Sequence, residues 1–178
     1  EQSDLDRVVH RIAATHRQAC SVAASQASAA LAEFHRCWTE NWDFARSLNA
    51  DVIAPGVLQR LLVLSDEWMQ RFESMLTQRA VDGRIKDVHG DLRLEHVFLF
   101  PERATPGDIV IIDGIEFSES LRRIDVIADI AFLVMELSFC GQRDLARDFS
   151  AAYLSETDDD TAGSVLPLFT AYRSAVRG

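Results

Sequence analysis

At 178 residues and 48% apolar side chains, the chain is long enough to bury one good core, with at most a small satellite. A formal charge of −10 excludes a general nucleic-acid or anionic-membrane binder, since either would want a basic face. Cys20, Cys37 and Cys140 are odd in number and form no CxxC pair, and no apolar run reaches membrane-spanning length; this fits reduced thiols in a cytoplasmic protein rather than a disulfide framework or a zinc site.

Residues 4 to 20 place Leu5, Val8, Val9, Ile12 and Ala13 at helical spacing, with Ser3 or Asp4 as the N-cap. Residues 24 to 48 are alanine-rich and carry Leu31, Phe34, Trp38, Trp42 and Phe44, which predicts a second helix with an aromatic core stripe. Pro55 and Gly56 break the chain, and a long amphipathic helix follows, capped near Gly83.

The pattern then changes. Val97 to Phe100 and Ile109 to Ile112 are short β-prone runs separated by Pro101, Pro106 and Gly107, a hairpin signature. Residues 125 to 139 are apolar almost all round but too short to span a bilayer, which predicts a central buried helix. Residues 143 to 154 continue as helix, Thr157 to Asp160 read as a solvated acidic loop, and 164 to 177 form a last helix. The expected fold is mainly α with one small β-hairpin, an α+β single domain over 1–178. It divides into a helical part (1–83), a loop and hairpin (84–117) and a second helical part (118–178).

Two segments stand out against this helical background: VHGDLRLEHVFLF at 88–100 and IVIIDGIEF at 109–117. Asp91 just before one strand and Asp113 just after its partner would lie at the same end of the hairpin. Converging carboxylates there make a hard-oxygen site for a divalent cation, or a base beside a metal. On spacing alone, a loop cap and a turn residue serve equally well.

HGDLRLEH resembles the catalytic loop H-G-D-x-x-x-x-N of the aminoglycoside phosphotransferase and choline kinase-like group, within the protein kinase-like fold. IIDGIEF resembles the metal-binding segment that follows it, and RIDVIADIAFL the group's D-x-x-x-D-L-A segment. An uncharacterised bacterial subfamily, often fused to a P-loop ATPase domain, is similar over about residues 80 to 178. Its HGDLHLEN, DxIEFN, LRxxDVxxDLAFLxMDL, LAxxFLxxYL and YRAxVR stand here as HGDLRLEH, DGIEFS, LRRIDVIADIAFLVMEL, LARDFSAAYL and YRSAVR.

The resemblance implies an ATP-dependent phosphotransferase, using Mg²⁺ or Mn²⁺, that acts on a hydroxyl of a small molecule. Asp91 is then the catalytic base, His89 the loop organiser and Asp113 the metal ligand. Asp129 is a buried acceptor holding the loop, and Asp125 one turn earlier is a helix N-cap or a site residue. Glu116 reaches metal or substrate, or pairs with Arg122 or Arg123; Arg93 meets a phosphate or substrate, or is a solvated loop arginine.

Two departures shape the expectation. His96 stands where the group has a metal-binding asparagine, and imidazole suits manganese, zinc or iron better than magnesium. The nucleotide-binding N-lobe is missing: no glycine precedes Gly56, and the only lysine, Lys86, lies three residues ahead of His89, where it cannot hold the triphosphate. The chain opens on Glu1 and closes on Gly178 with helical residues still running. The expectation is therefore a kinase-like C-terminal lobe cut from a longer protein and inactive alone. A non-catalytic pseudokinase-like binding module is the alternative, and a metal-dependent hydrolase using His89, Asp91, His96 and Asp113 the third reading.

Overall fold

The computed structural model describes residues 4–48 and 52–177, so the Ser3 cap lies outside the described residues. Helices α1 (Asp4–Gln18), α2 (Ala24–Ser47) and α3 (Pro55–Val81) come first. Strand β1 (Ile85–Asp87), a 3₁₀ turn at Leu94–His96, and strands β2 (Val97–Leu99) and β3 (Ile109–Ile111) follow. A short helix α4 (Glu119–Arg122), strand β4 (Arg123–Asp125) and helices α5 (Val126–Phe139), α6 (Arg143–Glu156) and α7 (Ala162–Arg177) complete the order. The fold is mainly α with two small antiparallel ladders, and no helix among the described residues is long and apolar enough to cross a membrane.

Helix α5 is the axle of the structure. Every residue from Val126 to Leu137 is buried, as its apolar circumference requires, and α7, then α6, pack most extensively on it. One continuous apolar cluster joins Ile12 and Ala13 of α1, Trp38 of α2, Leu76 of α3, Phe149 and Tyr153 of α6 and Phe169 of α7 around it. Each helix contributes one face at i, i+3, i+4 spacing; on α1 that face is Val9, Ile12, Ala13 and His16.

The expected hairpin is present as β2 paired with β3, with Val97 opposite Ile111 and Leu99 opposite Ile109. A second ladder pairs β1 with β4, Ile85 opposite Asp125, and was not anticipated because each strand has only three residues and two of them are charged. It closes a loop of nearly forty residues and so brings the segment after β1 onto the start of α5. Pro55 occupies the first turn of α3, where its missing N–H costs nothing, and Gly83, at φ +71°, ends the helix in the left-handed conformation.

One expectation is corrected here. The acidic tract at 157–160 is not wholly solvated: Asp159 is buried and holds the guanidinium of Arg79, which is itself fully buried, at 2.7 Å. Arg79 also forms a two-pronged pair with Asp125 (2.7 and 2.8 Å) and donates to Thr161 Oγ1. A charge sunk this deep must be matched, and a loop carboxylate is drawn in to match it. Burial opposes the charge of Arg79, but its bonds to Asp125 and Asp159 outweigh it and raise its pKa. Asp125 is also the N-cap of α5, accepting from Ile127 N at 2.8 Å, so it has a structural partner on each oxygen.

Candidate functional site

The segment 88–96 runs from β1 to the hairpin as irregular backbone, so its polar groups need partners from outside. Gly90 sits at φ +82°, and a side chain there would come within 2.9 Å of the Leu121 carbonyl. Only glycine fits both constraints. The adjacent N–H groups of Gly90 and His89 then point at the Asp129 carboxylate, at 2.9 and 3.3 Å.

Asp129 is fully buried, one turn into α5. Burial would raise its pKa, but the hydrogen bond from His16 and the electrostatic pull of His16, Arg173 and His89 outweigh that and lower it. An ionised carboxylate can only accept, so His16 Nε2, 3.1 Å away, carries the proton, and Nδ1 accepts from the Tyr153 hydroxyl at 2.7 Å. Burial raises the Tyr153 pKa, which keeps that phenol a donor. A buried relay from α6 through α1 to α5 thus ends on the loop.

Helix α7 grips the loop from the other side. The buried Arg173 donates to the carbonyls of Gly90 and Ala128, each at 3.0 Å. Burial pushes its pKa down, opposed by Tyr172, Asp129 and Asp91. One turn later Arg177 pairs with Glu136, a buried carboxylate on α5 that also accepts from Leu94 N at 2.7 Å and Arg93 Nε at 3.2 Å. Arg173 and Arg177, at i and i+4, therefore act on the two ends of one loop.

The expected site residues take distinct places. His89 has both ring nitrogens occupied by backbone: Nε2 donates to the Ile112 carbonyl at 2.7 Å, and Nδ1 accepts from Asp91 N at 3.3 Å. It ties the loop to the end of β3 and has no lone pair left for a metal. His96 is buried and donates from Nδ1 to the Asp91 carbonyl at 2.9 Å, while its Nε2 lies 3.4 Å from Asp113 Oδ2. Asp91 and Asp113 thus lie at the same end of the hairpin, joined through the His96 ring.

Asp113 has φ +63°, a left-handed conformation that aspartate tolerates better than most residues, and its side chain is 77% exposed. Because Nδ1 is engaged with the Asp91 carbonyl, Nε2 is the His96 ring atom that faces the Asp113 carboxylate. The Asp91 carboxylate is half-buried and accepts no hydrogen bond among the described residues.

Arg93 and Glu116 stand apart from this group. Arg93 pairs with Glu136 and Glu95, so it is a partnered arginine of the loop's flank. Glu116 is exposed; Arg122 pairs with Asp87 instead, and Arg123 with Glu119 at 2.8 Å. Sequence reasoning missed His16, Glu136, Arg173 and Arg177. His16 was legible, being the next position on the Val9–Ile12–Ala13 face; Arg173 and Arg177 stand in the quoted YRSAVR segment without a role that the segment discloses, and the partners of both and of Glu136 lie more than forty residues away.

Among the described residues, no three His, Cys, Asp or Glu side chains converge to hold a metal ion by themselves. Asp113 and His96 supply one carboxylate and one imidazole, a donor pair that suits manganese better than magnesium and would leave an ion to bring most of its own ligands. The three cysteines are free.

The chain is 31% identical over 173 residues to an uncharacterized protein of Mycobacterium tuberculosis strain H37Rv and, to the same extent, to one of Mycobacterium bovis. The alignment covers 97% of this chain but 34% of each relative, so the chain spans about a third of the length of the curated relatives it matches. No protein-family model matches the chain. No solved structure matches it.

Proposed function

We propose that this chain is the kinase-like C-terminal lobe of an ATP-dependent, cytoplasmic phosphotransferase acting on a hydroxyl of a small molecule. The observation that carries the reading is the disposition of three groups. The unbonded Asp91 carboxylate stands on a loop fixed by Asp129, and the His96 ring links the Asp91 backbone carbonyl to the Asp113 carboxylate. An immobile base with no hydrogen-bond partner of its own, beside an exposed carboxylate poised for a cation, meets the requirements of phosphoryl transfer.

In this reading Asp91 orients the acceptor hydroxyl and takes its proton. Asp129, Arg173 and Glu136 hold the loop so that the base does not wander, which preserves the attack geometry. Asp113 and His96 would hold the divalent cation, whose bound ATP supplies a phosphoryl group with its charge partly neutralised. His89 only organises the loop. The greater length of the relatives leaves room for a nucleotide-binding N-lobe and a P-loop domain.

Calorimetric titration of Mg²⁺–ATP and Mn²⁺–ATP into the chain tests this. Binding of metal–ATP that Asp113→Ala weakens at least tenfold is expected, with Asp91→Asn leaving it within about twofold, since Asp91 serves the acceptor. Equal affinity in Asp113→Ala would sink the assignment of the metal ligand and the reading with it. A non-catalytic, pseudokinase-like module is favoured by one feature, the imidazole at His96 against Asp113. Under that reading metal–ATP fails to bind even after His96→Asn restores the group's usual ligand. The hydrolase reading loses ground because His89 has no nitrogen free.

A further inference from the structure

Three imidazoles surround the loop at 88–96, and one differs from the other two. His16 and His89 have both ring nitrogens hydrogen-bonded inside the protein. His96 has one engaged: Nδ1 donates to the Asp91 carbonyl at 2.9 Å. Its Nε2 stands 3.4 Å from Oδ2 of Asp113, a carboxylate that is otherwise open to solvent.

That separation is informative. A charge-assisted hydrogen bond from a ring nitrogen to a carboxylate closes to about 2.7–2.9 Å, so the contact is too long for one. It is the spacing of two neighbouring ligands of one ion, whose bonds to imidazole nitrogen and carboxylate oxygen run about 2.0–2.2 Å. The other side of the ring completes the pattern, because metal-ligating histidines almost always donate their second N–H to a carbonyl or carboxylate. Here the acceptor is the backbone of Asp91, and burial of the ring fixes its orientation further. Glu95 comes within 3.9 Å of the same Nε2 but is paired with Arg93. The rest of the shell is then left to water and phosphate oxygens.

We propose that His96 Nε2 binds the cation directly, beside Asp113, and selects Mn²⁺ over Mg²⁺. Magnesium demands oxygens in a tight octahedron, whereas first-row transition ions take imidazole more readily. An open, oxygen-rich remainder suits Mn²⁺ rather than the closed tetrahedron of zinc. The inference deepens the phosphotransferase reading and rests on it for the nucleotide that shares the ion.

Mn²⁺ is paramagnetic, so electron spin-echo modulation from a directly bound ¹⁴N reports the ligand without an activity assay. The sample is the chain in excess over Mn²⁺, first alone and then with ATP. Nitrogen modulation is expected in both, converted to a ¹⁵N pattern by labelling the histidines, which excludes adenine as the source. His96→Asn keeps a donor for the Asp91 carbonyl but offers the ion an oxygen, and should abolish the modulation. If that variant does not fold by circular dichroism, loss of the signal in Asp113→Ala, at an exposed position, places the nitrogen beside that carboxylate. In calorimetry the chain should bind Mn²⁺–ATP at least about tenfold more tightly than Mg²⁺–ATP, and His96→Asn should erase the preference.

Mn²⁺ bound through Asp113 without a histidine nitrogen overturns the inference and leaves the phosphotransferase reading standing. Histidine modulation with Mn²⁺ alone, and no affinity for ATP, upholds the inference and sinks that reading. No bound Mn²⁺ in either sample overturns the inference, as does the same ratio of Mn²⁺–ATP to Mg²⁺–ATP affinity in the wild type and His96→Asn.

Discussion

Helix α7 separates two regions that handle polar groups in opposite ways. On its loop side, the N–H groups of His89, Gly90 and Leu94 and the carbonyls of Gly90 and Asp91 are all met by charged or imidazole side chains. On its other side, toward α2 and α3, Trp38, Asn41 and Ser65 each keep an unmet polar atom among aromatic rings. Arg173 and Arg177 face one side and Ala171 and Ala175 the other, as a rotation of 100° per residue requires. A region satisfied from within is built to hold its own backbone in place. A region left unsatisfied gives up stability at each unmet atom.

The comparison breaks most sharply at Asp129. Asp129→Ala should lose about 3–5 kcal/mol of unfolding free energy in urea titration, because it orphans two loop amides and the Nε2 donor of His16 together. A loss under 1 kcal/mol would mean the loop is held by something other than this carboxylate.

At Gly90 the constraint is steric. Gly90→Ala forces a side chain into the left-handed region and against the Leu121 carbonyl, and should cost about 2–3 kcal/mol on the same measurement.

Acid probes the same side without mutation. The carboxyls of Asp129 and Asp159 are lowered in the folded state: burial would raise both, and the bonds from His16 and Arg79 respectively overcome it. Their contribution to stability is therefore complete above the ordinary carboxylate value near about 4 and is lost as pH falls through the folded values below it. Urea midpoints flat from neutrality to about pH 5 and dropping below about pH 4 are expected; in Asp129→Ala the drop should shrink.

The smallest effect has the opposite sign. Ser65→Ala removes an unmet hydroxyl, so stability should stay level or rise by up to about 1 kcal/mol. A loss above 1 kcal/mol would show that the hydroxyl already has a partner and that the two sides of α7 are not different after all.

Much of this arrangement was legible beforehand, for reasons that can be named. The apolar circumference of 125–139 announces a central helix, and the prolines and glycine at 101–107 announce a hairpin. The positions of Asp91 and Asp113 at one hairpin end follow from strand geometry alone. What was not legible are pairings whose partners are distant in sequence. Nothing near Asp159 distinguishes it from Asp158 or Asp160, and only the buried Arg79, eighty residues earlier, selects it. Glu136 looks like a lapse in an apolar helix until Leu94 and Arg177 close on it. The β1–β4 ladder was hidden because three-residue strands bearing charges carry no period.

The direction of synthesis gives the α7 clamp a temporal meaning. The loop at 88–96 emerges from the ribosome well before residues 162–177, yet Gly90 and, through Glu136, Leu94 depend on arginines of that last helix. Until α7 docks, the nascent chain can form α5 and its neighbours but leaves the Gly90 carbonyl without its donor. The order of the loop is thus a late event of assembly. It ripens only after α7 has arrived.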